Sequence, residues 1–179
     1  MTQASKPEIL AIIGLGNPGQ GYYHNRHSIG FRVVEALANR EGGVWREREE
    51  MSLAEVTVYG KKLLLIKPLT FMNTSGRVIP FLSKRGIKPE NILVVHDELE
   101  QPFGKISIRE GGSARGHNGL RSIISACGEH FFRMRFGIGR PEQKEQVPSY
   151  VLQNFSESAE DVECLIDDAV TMLLEYIRR

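Results

Sequence analysis

Apolar positions along the chain follow two different periods, and their alternation predicts strands interspersed with helices. Short apolar or alternating runs between turn residues predict strands over residues 9–13, 52–59, 62–67, 91–96, 105–109 and 132–136. Spacing of about 3.6 residues predicts helices over residues 29–40, 76–85, 120–126 and 158–178. We therefore expect an α/β fold, a three-layer α/β/α sandwich with a mixed, mostly parallel central sheet.

The last predicted helix, from Ser158 to Arg178, carries a single apolar stripe between Val162 and Ile177. One stripe is typical of a helix that docks on a sheet, so we expect the chemistry elsewhere. Residues 140–150, before this helix, are polar and predict a connector.

The loop over residues 14–27 follows the first predicted strand and concentrates varied polar groups. It carries Asn17, Tyr22 and His27 among its glycines and a proline, and Ser28 is a suitable N-cap for the helix that follows. In α/β sheets, ligands bind at the rim where strands lead into helices. The loop is therefore the first candidate site.

Two other interpretations of this loop stay open. Gly14 to Gly19 matches the dinucleotide fingerprint G-x-G-x-x-G, but that motif needs a helix opening at the glycines, and here the helix starts at about Ser28. The acidic residue that normally follows a second strand is also missing. Alternatively, the glycines serve only packing, although this does not explain the cluster of polar groups.

Composition and charge narrow the class of protein. The 179 residues suit one domain over 1–179, with 41% apolar and 25% charged residues and no membrane-spanning run, so we expect a cytoplasmic protein. Net charge is +1, which argues against general polyanion binding. However, residues 105–140 hold seven Lys/Arg and two acids, which indicates an anionic partner on one side. Cys127 and Cys164 lie in apolar helical patterns and are expected to be buried thiols.

Polar residues at the ends of predicted elements suggest general-base chemistry. A neutral imidazole at His27 can take a proton from water, and a carboxylate such as Asp97 can fix its tautomer and stabilise the imidazolium. Three amides can hold a carbonyl, a water or an oxyanion without adding charge, and they are Asn17, Asn73 and Asn118.

Plainer interpretations and rival sites accompany this hypothesis. Asp97 can cap a turn, His27 can be surface, and we assign no role to His24, His96, His117 and His130. A metal site from His24 and His27 with His96 or Asp97 is a rival without a compact ligand signature. A serine hydrolase at Ser113 fails G-x-S-x-G, because residue 115 is arginine.

Four motifs in this order and spacing resemble the bacterial peptidyl-tRNA hydrolase family, from about residue 8 to the C-terminus. They are Gly14–Gly19 with Tyr22, Arg26 and His27; Thr70–Asn73 with Ser75-Gly76; His96–Leu99; and Gly116–Leu120. The resemblance implies a monomeric esterase that needs no metal or other cofactor and frees tRNA from peptides after aborted translation. Relatives of this fold that act as RNA-splicing cofactors supply the alternative function.

The resemblance also implies roles for individual residues. His27 would be the catalytic base, with Asp97 as its partner. The residues implied to bind substrate or the catalytic water are Asn17, Tyr22, Phe71, Met72, Asn73 and Asn118, with Phe71 and Met72 along the peptide channel. Arg109 and Arg135 match a basic pair that clamps the tRNA 5′ phosphate, and each lies on a basic face of its predicted strand.

Two positions depart from the family pattern. Ser28 stands where the family usually has Asn, so one polar contact near the base is expected to differ. Arg115 stands where the second glycine-rich loop usually has Gly, which adds charge and restricts the backbone there. Neither change removes a catalytic group.

Overall fold

The structure, a computed structural model, describes residues 4–179. Its strands within that range are β1 Ala11–Gly14, β2 Arg46–Glu47, β3 Met51–Val58, β4 Lys61–Pro68, β5 Ile92–Glu98, β6 Ile106–Glu110 and β7 Phe132–Gly137. Its α-helices are α1 Ile29–Arg40, α2 Ile79–Ser83, α3 Asn118–Cys127, α4 Val147–Val151 and α5 Ala159–Arg178. Short 3₁₀ helices cover Arg26–Ser28, Met72–Val78, Pro89–Asn91 and Lys144–Gln146. The predicted α/β class is confirmed.

The seven strands of residues 4–179 form one mixed sheet in the order β2-β3-β4-β1-β5-β7-β6. The four central strands β4, β1, β5 and β7 run parallel, and β3 and β6 run antiparallel to their neighbours. The predicted hairpin is β3–β4. The carboxyl ends of β1, β5 and β7 meet at one rim, since Gly14 pairs with Val95 and Glu98 pairs with Gly137.

Apolar side chains alternate between the two faces of the sheet and create a core on each. In β1, Ile12 packs with α1 and α5 on one face, and Ile13 packs with α2 and α3 on the other. The central strands are thus buried on both sides, which explains their continuous apolar runs. The helices form the two outer layers of the predicted sandwich.

Glycines at the end of β1 and in α1 allow the helix to approach the strand closely. A Cβ on Gly14 would lie 2.3 Å from the carbonyl oxygen of Gly30, and a Cβ on Gly30 would lie 2.4 Å from the Leu15 nitrogen. Helix α1 begins at Ile29 and not at these glycines, so its N-terminal N–H groups do not face a fingerprint turn. The dinucleotide interpretation therefore loses its structural basis.

Several predicted elements differ from the structure. The helix expected over 76–85 is a 3₁₀ helix up to Val78 followed by the five-residue α2. Residues 140–150, expected as a plain connector, contain a 3₁₀ turn and part of α4. Ser28 occupies the N-cap position of α1, but its hydroxyl makes no cap bond and accepts the backbone N–H of Asn17 at 3.2 Å.

The expectation of two buried thiols is wrong. Cys164 is exposed and Cys127 is partly exposed. Cys164 follows buried Val162 by two positions, which turns it to the opposite side of α5. An apolar average over this run therefore did not indicate that position 164 faces solvent.

Among residues 4–179, no helix combines the length and the apolar character that crossing a membrane requires.

Candidate active site

His27 lies above the carboxyl end of β5, in the 3₁₀ turn that precedes α1. Its Nδ1 atom is 3.0 Å and 2.9 Å from the two carboxylate oxygens of Asp97, which is a residue of β5. Both side chains are largely buried, with 9% of His27 and 3% of Asp97 exposed. The parallel register of β1 and β5 brings together two residues 70 positions apart.

Opposing physical effects set the charge states of this pair. Burial raises the pKa of Asp97, but the neighbouring His27 and His117 and their hydrogen bonds outweigh it and hold that pKa well below its usual range. Burial lowers the pKa of His27, but the charge and hydrogen bond of Asp97 outweigh it, and the pKa is raised above its usual value. Because Asp97 is ionised, Nδ1 of His27 carries the proton and Nε2 is the free base.

His117 is a second partner of Asp97, which the sequence analysis missed. Its Nδ1 accepts the backbone N–H groups of Gly119 and Leu120 at 3.1 and 3.3 Å and so caps α3. A ring whose Nδ1 accepts must carry its proton on Nε2, and Nε2 lies 2.8 Å from Asp97 Oδ1. The cap therefore makes His117 a neutral donor to the carboxylate. His117 was expected to be an ordinary residue, and these hydrogen bonds to Asp97 and to the start of α3 show that this expectation is wrong.

The same cap bears on the rival metal site. His27, Asp97 and His117 offer ligand atoms that all lie within 4.8 Å of one another. However, a metal on Nε2 of His117 would require the ring proton on Nδ1, which faces two backbone N–H donors. Metal binding would thus break the cap of α3, so this donor set does not suit a metal. His24, named in the rival site, is exposed and not part of the group.

His96 completes the group of rings beneath the site. It is buried, its Nδ1 lies 2.7 Å from the backbone oxygen of Asp97, and its ring packs edge-on against His117 at 5.3 Å. Burial lowers the pKa of His96 to about 3. A neutral imidazole therefore supports the strand end that carries Asp97. This contact too was missed, whereas His24 and His130 are exposed as ordinary surface residues.

A cavity of about 340 Å³ opens beside His27 and Asp97. Asn118 and His117 line it, and Val147, Pro148 and Val151 of the α4 segment give it an apolar wall. Arg140 and Glu100 form an ion pair at its wall. The cavity therefore places a base next to a space that both polar and apolar residues line.

The other predicted substrate residues do not line this cavity. Asn17 is buried, and its Oδ1 accepts the backbone N–H of Met72 at 2.8 Å. Met72 is also buried, within the core that contains α2 and α3. Phe71 is 63% exposed and Tyr22 is 38% exposed, and Asn73 is exposed as well. Asn118 alone of the six is a lining residue.

The two predicted phosphate ligands, Arg109 and Arg135, share a smaller cleft of about 20 Å³. Arg135 donates to the Ser107 hydroxyl at 3.2 Å and lies 3.7 Å from Glu98. Burial raises the pKa of Glu98, against the attraction of Arg135 and Arg115. Arg133, on the same strand face, is buried and donates to the backbone oxygens of Gly112 and Ser113. Arg133 therefore anchors the loop that contains Gly112 and Ser113, and Arg109 and Arg135 are the two arginines of β6 and β7 that a ligand can reach in the cleft.

The loop before His27 is joined to the α4 segment by buried polar contacts that sequence patterns do not indicate. The Arg26 guanidinium lies 3.9 Å from the Tyr150 ring centre and donates to the Tyr150 backbone oxygen at 3.0 Å. Asn25 donates to the side-chain oxygen of Asn154 at 2.9 Å. These contacts hold the apolar wall of the cavity next to His27, across more than 120 residues of sequence.

Comparison with known proteins gives the family. The chain belongs to the peptidyl-tRNA hydrolase family, whose model matches residues 11–179. It is 44% identical over 163 residues to a peptidyl-tRNA hydrolase of Rubrobacter xylanophilus, covering 91% of this chain and 92% of that one. It is 41% identical over 168 residues to one of Fervidobacterium nodosum, covering 94% and 88%. The crystal structure of peptidyl-tRNA hydrolase from Acinetobacter baumannii superposes with a TM-score of 0.88 at 37% identity, covering 98% of this chain and 90% of that one.

Proposed function

We propose that this chain hydrolyses the ester between a peptide and the 3′-terminal ribose of tRNA, with His27 as general base. His27 takes a proton from water through Nε2 while the water oxygen attacks the ester carbonyl. The bond to the ribose 3′-oxygen then breaks, and His27 returns the proton to that oxygen, so that the tRNA leaves with a free hydroxyl and the peptide with a free carboxyl group. Asp97 orients His27 through Nδ1 and stabilises the imidazolium that forms. General-base catalysis of this kind typically contributes about 10²–10⁴ in rate.

Family membership supports the reaction, and one observation carries the mechanism. Because the ionised Asp97 accepts the Nδ1 proton of His27, the lone pair of the ring is on Nε2. The His27 side chain also lines the 340 Å³ cavity, where a water molecule can reach it. His117 donates a further hydrogen bond to the same carboxylate, which stabilises its position without adding a second positive charge beside it. Every step uses side chains of this protein and needs no covalent intermediate and no cofactor.

The amides and the exposed aromatic residues are proposed to bind the substrate. Asn118, at the cavity wall, is placed to hold the ester carbonyl or the attacking water, and a neutral donor of this kind can contribute about 3 kcal/mol to the transition state. Asn17 acts with it by fixing the backbone of Met72. Exposed Asn73, Tyr22 and Phe71 offer polar and stacking surfaces for the tRNA end and the peptide.

The basic cleft is proposed to hold the tRNA. Arg109 and Arg135 would contact the 5′ phosphate, and such contacts position a nucleic acid without reading its sequence. This suits an enzyme that accepts many tRNAs. We further propose that the protein acts as a monomer in the cytoplasm, the compartment in which peptidyl-tRNA forms. The comparisons do not favour the alternative of a splicing cofactor without hydrolase activity.

A release assay on peptidyl-tRNA tests the proposal. His27→Ala is expected to abolish turnover while tRNA binding persists, and His24→Ala, an exposed histidine three residues earlier, is the matched control. A chelator is expected to leave the wild-type rate unchanged. Near-normal turnover by His27→Ala contradicts the mechanism, loss of rate with chelator favours a metalloenzyme, and binding without any release favours the RNA-binding alternative.

A further inference from the structure

Arg115 occupies the boundary between the two cavities of the site. Three residues line both the 340 Å³ cavity beside His27 and the small cleft of Arg109 and Arg135, and they are Glu98, Ala114 and Arg115. Arg115 is the one cation among them. Its side chain therefore stands between the proposed position of the ester and the proposed position of the stem phosphate.

The backbone at Arg115 adopts a conformation that favours glycine. Its φ is +46°, and Gly116 beside it has a φ of +84°. A non-glycine residue in this left-handed region costs about 1–2 kcal/mol. The loop is held on both sides, because Arg133 binds the Ser113 backbone oxygen and His117 caps α3. An arginine is thus fixed at a strained position between two anchors.

The guanidinium of Arg115 is available for a ligand. Glu98 pairs with Arg135 and Glu100 pairs with Arg140, which leaves Arg115 without a hydrogen bond or ion pair to any residue of 4–179. Arg115 is exposed, and its charge lies near both acids. It opposes the burial that raises the pKa of Glu98, and it adds to the stronger effect of Arg140 that lowers the pKa of Glu100. It thereby offsets negative charge at a point where a polyanion would otherwise meet Glu98.

We propose that Arg115 binds an internucleotide phosphate of the single-stranded 3′ end of the tRNA. The inference rests on the proposed function. A substrate with its ester at His27 and its stem phosphate at Arg109 and Arg135 must lead its backbone across the boundary that Arg115 occupies. Arginine suits this contact because its planar fork binds phosphate oxygens in pairs. Arg115 is in this view a substrate-positioning residue, and the chemistry stays with His27.

Three substrates of decreasing length separate this role from others. They are peptidyl-tRNA, the peptidyl ester of the terminal CCA trinucleotide, and the peptidyl ester of adenosine, which has no phosphate. Arg115→Gln is expected to raise KM about threefold to tenfold on the first two and to have little effect on the third. Arg135→Gln is expected to impair only peptidyl-tRNA, because it acts on the stem. Arg115→Lys keeps the charge and is expected to retain most of the binding.

The backbone effect is controlled by Arg115→Gly, which relieves the positive φ. An equal loss for Arg115→Gly and Arg115→Gln on the trinucleotide ester supports the phosphate contact. Arg85→Gln, at an exposed arginine that lines neither cavity, is the matched surface control. An equal loss on peptidyl-adenosine, or no loss on any substrate, overturns the proposal.

Binding of the free CCA trinucleotide, which carries no peptide, tests the same contact without catalysis. Its salt slope, the fall of log K with log salt, is expected to decrease by about 0.7 in Arg115→Gln, the value for one phosphate contact on a single strand. An unchanged slope refutes the phosphate contact. Because this measurement needs no turnover, it stands even if wild-type protein releases no peptide, which would refute the proposed function instead.

Discussion

His117 donates from Nε2 to Oδ1 of Asp97 over 2.8 Å, and the opposite nitrogen of the same ring caps helix α3. One side chain thus links the fold of the second glycine-rich loop to the carboxylate that orients His27. The helix N-terminus fixes the tautomer, and the tautomer fixes the direction of the hydrogen bond. The geometry of the site therefore depends on a local feature of helix capping.

Replacing His117 separates these two duties. His117→Ala removes both the cap and the donor, and we expect a loss of about 0.5–2 kcal/mol of stability together with a fall in kcat. His117→Asn keeps a side chain that caps helices well but is too short to reach Asp97. We expect it to recover most of the stability and little of kcat, as measured by urea unfolding and single-turnover release. Full recovery of kcat by Asn would mean that only the cap matters.

His96 is expected to make the folded state sensitive to acid. Its pKa is about 3 in the folded protein and about 6.5 in an unfolded chain, so unfolding takes up a proton between these values. The stability due to neutral His96 is complete above pH 6.5 and is lost as pH falls towards 3, at up to about 1.4 kcal/mol per pH unit. His96→Asn, measured by urea unfolding from pH 4 to 7, should show a shallower slope. The control His130→Asn, at an exposed histidine, should keep the wild-type slope, and an equal slope in both variants would contradict this assignment.

Arg26 is expected to hold the α4 wall of the cavity in place. Arg26→Lys keeps the charge but loses the planar group that stacks on Tyr150 and donates to its backbone oxygen. We expect a loss of about 1–3 kcal/mol, faster amide hydrogen exchange over residues 147–154, and a lower kcat/KM. Arg40→Lys, on the exposed end of α1, serves as the control. Unchanged exchange over 147–154 would show that the wall does not depend on Arg26.

The meeting of His27 and Asp97 could be predicted because parallel strands bring their carboxyl ends to one rim. The period of the apolar residues is enough to place both residues there. His117 could not be predicted in the same way, since its role depends on the loop conformation that turns its ring towards both α3 and Asp97. Arg26 and Tyr150 are 124 residues apart, and no local pattern relates them.

Burial of single side chains was the least predictable feature. Met72 was expected along a channel and lies in the core, because its backbone is tied to Asn17 and its side chain packs with α3. Cys164 was expected inside and faces solvent. Such positions depend on how an element is rotated, which composition does not specify. The catalytic and binding roles of all the predicted site residues, and the single-domain organisation of residues 1–179, stay predictions.

The pH dependence of kcat/KM, measured in wild type and in Asp97→Asn, tests the central claim most directly. The general base must be neutral to accept a proton. Because Asp97 raises the pKa of His27, the wild-type rate should fall as the pH drops through a pKa that lies above the usual value of about 6.5. In Asp97→Asn the negative charge beside His27 is gone, so burial alone acts on the ring and lowers its pKa. We expect the acid limb to move below that value while the plateau falls about 10²-fold or more. An acid limb at the same pH in both proteins would contradict the pairing of His27 with Asp97.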